Sequence, residues 1–169
     1  NQRIKEALAA APVDGDAMRL LATALAMQGR ARAAAALIDR ARGPGSDPNF
    51  DRWAAVYSTL GDEVMQHSKL AEAADWYNKA ARVAKRPMDV YNARLGTGIV
   101  ASSQRKGDLA ARELEAAARV DEVSSNERAF ARELLGNLAG PLDGSSGVPE
   151  AVAAMKRLEA DRPSKPGRD

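Results

Sequence analysis

Residues 96–101, Gly96-Thr97-Gly98-Ile99-Val100-Ala101, match the G-x-G-x-x-A pattern that cradles a dinucleotide pyrophosphate. That chemistry needs a strand entering the glycines and a helix leaving them. Val90 to Leu95 carries no strand pattern, so the match implies no cofactor. Asp14-Gly15-Asp16 resembles the opening of a calcium loop, but the later ligands and the distal Glu are missing. It reads as a turn followed by a helix cap. Gly43-Pro44-Gly45-Ser46 lacks the Gly-Lys-Ser/Thr of a phosphate loop and also reads as a turn. His67 is the single histidine. It falls near a helix end, where the helix dipole favours a cation. Glu113 and Glu115 are two apart on a helix, so they face different sides and form no acid–base pair.

The composition points the same way. The 169 residues include no Cys, which removes thiol nucleophiles, disulfide frameworks and Cys-ligated metals. A single His argues against a His-based metal site or a catalytic triad. The expectation is therefore a non-enzyme with no metal and no cofactor. Arginine outnumbers lysine 18 to 7, and Arg30, Arg32, Arg40 and Arg42 bracket one Ala-rich helix. A nucleic-acid footprint would be a basic stripe, interleaved with aromatics for single strands. Here acidic residues are interspersed and the net charge is only +2, so a solvated outer face is expected and no nucleic-acid partner. Leu20 to Gly29 is the longest weakly polar stretch. It is about half a membrane span, so no transmembrane segment is expected. Alanine supplies 36 residues, while Val, Ile, Leu and Phe together supply 30. A chain so rich in Ala folds if its helices approach closely.

Strand signals are almost absent, and Gly, Pro, Asp and Ser cut the helical patterns at short intervals. Nine helices are predicted, over 2–11, 15–28, 31–42, 48–67, 69–84, 88–104, 108–120, 125–139 and 149–160. Asp47 before Pro48 reads as an N-cap with Pro at the first helical position. Ser124 and Glu127 have capping-box spacing. Gly29 and Gly107 stand where a left-handed C-terminal residue is wanted. Residues 140–147 form the longest irregular loop, and the tail at 164–169 is expected to be disordered. Loops this short imply successive helical hairpins.

The hairpins repeat. One triplet reads Ala34, Ile38, Ala41, then Ala73, Tyr77, Ala80, then Ala110, Leu114, Ala117, then Ala151, Met155, Leu158, in steps of 39, 37 and 41 residues. The intervening helices carry Leu21-Ala22, Leu60-Gly61, Leu95-Gly96 and Leu135-Gly136, each with an apolar residue one turn on. Glycine inside a helix costs about 1 kcal/mol relative to Ala. Close approach of the partner helix explains that cost, with Gly61 facing Ala73 and Gly96 facing Ala110. Tyr57, Leu60, Gly61, Val64, Ala73, Tyr77 and Ala80 resemble the tetratricopeptide repeat (TPR) signature, and Met18, Leu21, Ala22, Leu25, Ala34, Ile38 and Ala41 match it in spacing. The likeness is good over residues 1–123 and degenerates in the last copy.

The resemblance implies an all-α, right-handed superhelical solenoid of antiparallel helix pairs over 1–163. It has a partial repeat at 1–12 and repeats at about 15–46, 48–86, 88–122 and 125–163. Residues 2–11 read as the second helix of a hairpin lacking its first, so the chain is expected to be a segment of a longer repeat protein. TPR proteins bind peptides or partner helices in a concave groove lined by the first helix of each pair. Carried over, those positions are Arg19, Thr23 and Met27, then Ser58, Asp62 and Met65, then Thr97 with Arg94 at the edge. Thr23 and Asp62 replace the Asn expected of repeats that capture chaperone carboxylate tails, which argues against that ligand. The expected function is a non-catalytic protein-interaction scaffold with a protein or peptide partner. Its expected setting is a larger bacterial assembly, such as cell-envelope secretion or exopolysaccharide export, with the periplasm preferred to the cytoplasm. The alternatives are a regulator binding nucleic acid through its Arg-rich outer face and a helical accessory domain of an enzyme.

Overall fold

The structure, a computed structural model, describes residues 14–42, 47–140 and 147–161. Among the described residues it holds eight α-helices, one 3-10 turn and no strand. They are α1 (Gly15–Met27), α2 (Ala31–Arg42), the 3-10 turn (Phe50–Trp53), α3 (Ala54–Gln66), α4 (Leu70–Val83), α5 (Pro87–Ser103), α6 (Gly107–Ala118), α7 (Ser125–Ala139) and α8 (Pro149–Ala160). The helix expected over 2–11, the partial repeat at 1–12, most of the 140–147 loop and the tail at 164–169 lie outside the described residues. No described helix is long and apolar enough to cross a membrane.

Local chemistry explains several helix ends. The Asp14 carboxylate accepts from the backbone N–H groups of Asp16 and Ala17, both at 3.1 Å, so the Asp-Gly-Asp stretch is a cap. The Ser124 hydroxyl accepts from Glu127 N at 3.4 Å, and Pro149 opens α8. Three turns share one geometry. Gly29, Ser68 and Arg105 all adopt a left-handed backbone, with φ of 70°, 58° and 60°. In each, the next residue's N–H reaches five residues back: Arg30 to Leu25, Lys69 to Val64, and Lys106 to Ala101, at 2.9–3.1 Å. Those hydrogen bonds close a Schellman-type helix end. The three turns are separated by the same 39 and 37 residues as the sequence triplets. Gly107 is not the left-handed residue expected; Arg105 takes that place and Gly107 begins α6.

Asp47 departs from expectation too. No α-helix starts at Pro48; a turn and the 3-10 segment precede α3. The Asp47 carboxylate is buried and accepts from Arg19 of α1, from Trp53 Nε1 at 2.9 Å and from Asn49 N at 2.9 Å. A charge arriving from another hairpin outweighs the local capping preference.

The core follows the triplets. Ala34, Ala41, Ala73, Ala80, Ala110, Ala117 and Ala151 have no exposed surface, and Ile38, Tyr77 and Leu114 are buried beside them. Met155 is half-buried against the last cluster. Helix α3 packs on α1, α4 and α5, and α5 packs on α4 and α6. The fourth hairpin sits differently: α7 packs on α6, and α8 also lies along α6. Glu115 of α6 anchors that contact, accepting from Arg157 of α8 at 2.6 and 2.9 Å and from Arg119 at 3.0 Å.

The in-helix glycines are tight, but not against the alanines expected. A Cβ on Gly61 would lie 2.8 Å from Cζ of Tyr77, and one on Gly96 would meet the same ring more closely still. The Tyr77 ring is thus clasped between α3 and α5. A large side chain needs a hollow on each side, and two missing Cβ atoms supply it. Gly98 is similarly close to Leu114, whereas a Cβ on Gly136 would meet nothing within 4 Å.

Candidate functional site

A groove of about 290 Å³ runs between α3 and α5, over the clasped tyrosine. Helix α3 contributes Ala55, Ser58, Thr59, Asp62 and Met65. Helix α5 contributes Asn92, Leu95, Gly96 and Ile99, and Tyr77 of α4 forms the floor. The spacing on each helix is three or four residues, which aligns these side chains along one face. The expected positions Ser58, Asp62 and Met65 are therefore brought together. Thr97 stands next to this face and turns its hydroxyl back to the Ala93 carbonyl at 2.8 Å.

The groove has a distinct polarity. Asp62 is the single charged residue in its lining. One of its oxygens accepts from the Tyr77 hydroxyl. Burial, the hydrogen bond to Asp62 and that residue's charge all push the Tyr77 hydroxyl pKa up, so the ring stays neutral. Ser58 is only 6% exposed, and its Oγ has no hydrogen-bond partner. Its neighbour Thr59 does satisfy itself, donating to the Ala55 carbonyl at 3.0 Å. A buried hydroxyl without a partner costs about 1–3 kcal/mol. The Ser58 oxygen has essentially no accessible surface, so it lies beneath the groove wall.

Other expected groove residues are placed elsewhere. Arg19 is buried, held by Asp47 and also paired with Asp16, so it presents no free cation. Thr23 is half-buried on α1. Met27 is 70% exposed at the end of α1, away from the groove lining. Arg94 points to Glu113 of α6 at 2.8 Å, while Glu115 pairs with Arg157, so the two glutamates do serve separate partners. His67 caps the end of α3, with its Nε2 3.2 Å from Glu63 Oε1.

Among the repeat contacts, Leu60, Gly61, Ala73, Tyr77, Ala80 and Gly96 are buried, and Leu95 packs half-buried against the core. Leu21 is the exception, at 49% exposed. Its equivalents Leu60 and Leu135 pack against a preceding hairpin, and no described helix precedes α1.

Thr59, Asn92 and Ile99 are groove residues that the carried-over positions omit. Asn92 and Ile99 lie four before and three after Gly96, so helical spacing from the glycine locates them. No group of His, Asp and Glu residues suited to a metal ion occurs among the described residues. Neither a family model, nor a characterised protein, nor a solved structure matches this chain.

Proposed function

We propose that this chain is a TPR-like helical repeat segment, a non-catalytic scaffold that binds a partner peptide or helix in the α3–α5 groove. The repeat reading is supported by the three left-handed turns recurring at the triplet steps, together with the fully buried alanines in each hairpin. The observation that carries the binding role is the α3–α5 groove with an exposed carboxylate, Asp62, as the single charged group in its lining. A scaffold uses rigid helices to hold such groups in place, so a partner segment loses little entropy beyond its own. The assembly it serves is a larger multi-protein one, in keeping with a role of presenting one partner to others.

The test is a pull-down with the full chain, comparing wild type with Asn92→Trp, which fills the groove from its rim. Partners recovered by the wild type and lost by a variant of unchanged melting temperature support the reading. Equal recovery by both overturns it. Recovery of nucleic acid that collapses as salt is raised would favour the outer-face alternative instead.

A further inference from the structure

We infer that the α3–α5 groove selects a partner segment carrying a lysine or arginine side chain, with Asp62 as the acceptor of the cation. The inference rests on the scaffold reading above and specifies the chemistry of what enters. Asp62 is the only charged group among the residues lining the groove, so the cleft has an uncompensated negative charge. Tyr77 donates to one of its oxygens and leaves the carboxylate further acceptor sites. That hydrogen bond orients the carboxylate, because the tyrosine ring packs closely against the backbone at both Gly61 and Gly96. No cation among the described residues pairs with Asp62. The nearby acid Glu63 faces His67, and the nearest cation along α5, Arg94, is taken by Glu113.

The remaining lining suits the rest of such a side chain. Met65, Leu95 and Ile99 offer apolar surface for an aliphatic stem, the way lysine and arginine stems pack while their heads stay polar. An anionic ligand would meet Asp62 with no cation to offset the repulsion. A neutral segment would leave the carboxylate desolvated without a charged donor. Charge-assisted hydrogen bonds are about twice as strong as neutral ones, which gives the cation its advantage.

The experiment is selection from a random peptide display library on the full chain, followed by titration of synthetic peptides. Enriched peptides are expected to share a Lys or Arg. Replacing it with norleucine or Gln, respectively, should weaken binding about tenfold, or 1.4 kcal/mol. Asp62→Asn should weaken the parent peptide by a similar factor, and the two changes together should cost little more than either alone. Enriched peptides that lack a cation, or equal binding by Asp62→Asn, would overturn the cation assignment. If those peptides were still lost with Asn92→Trp, the groove reading would stand alone. Peptides whose binding survives Asn92→Trp, or no enrichment at all, would overturn both.

Discussion

The clasped tyrosine gives the sharpest test of how these helices fit. Take Gly96→Ala. In an unconstrained helix this change stabilises by about 1 kcal/mol, because Gly is the poorer helix former. Here the new methyl falls inside the contact distance of the Tyr77 ring. The ring has little room to retreat: a Cβ on Gly61 would lie 2.8 Å from Cζ, so α3 is also close to it, and its hydroxyl is tied to Asp62. The helices must separate or the ring must leave its rotamer. Overpacking of this kind costs about 1–3 kcal/mol, and a ring held on both sides belongs at the upper end. Net of the propensity gain, the expected loss is about 1–2 kcal/mol, or about 2–8 °C in melting temperature for a chain of this length. Gly136→Ala is the matched control, since its Cβ meets nothing within 4 Å. It should gain about 0.5–1 kcal/mol. Thermal and urea unfolding followed by far-UV circular dichroism would measure both. Adding Tyr77→Leu to Gly96→Ala should recover part of the loss, giving a coupling that independent sites lack. A Gly96→Ala protein as stable as wild type, or a Gly136→Ala protein destabilised by the same amount, would refute the clasp.

Three further outcomes are expected. Ser68→Gly and Arg105→Gly should each stabilise by about 1 kcal/mol, because both non-glycine residues are held at positive φ; urea midpoints would show it. Asp47→Ala should cost about 1–3 kcal/mol by removing the acceptor of Arg19, Trp53 and Asn49 while Asp16 still pairs with Arg19, with Asp47→Asn costing less because Trp53 and Asn49 keep an acceptor. Hydrogen bonds from Arg157 hold the Glu115 carboxyl below the usual range, against burial, with Arg119 assisting. Its contribution to stability is therefore complete above the unfolded value of about 4.3 and is lost as pH falls through the lowered folded value. Urea unfolding across that acid range should show the loss, and Glu115→Gln should flatten it.

The helical architecture was legible because hydrophobic spacing and chain-breaking residues are local signals. The alanine triplets, the Ser124 cap and Gly29 all stand as their neighbours dictate. Three of the groove residues were legible through repeat register, since Ser58, Asp62 and Met65 share one face of α3. What escaped depends on side chains from distant hairpins. Arg19 has the spacing of a groove residue, but Asp47, 28 residues away, draws it into the interior. Gly61 and Gly96 reveal a need for space, while only the packing reveals that a ring from α4 fills it. Leu21 has the right type and register, and no described helix packs on it as one packs on Leu60.

The clasp also constrains how this chain can change over generations. Gly61, Tyr77 and Gly96 come from three helices but occupy one volume, so they form a set with a single permitted size distribution. A lineage that enlarges either glycine first passes through a less stable ancestor unless residue 77 has already become smaller. Shrinking residue 77 first would also release Asp62 and loosen the groove above it. Substitutions at the three positions should therefore arrive together or not at all. Drift in the groove lining is accordingly tied to the hidden joint beneath it.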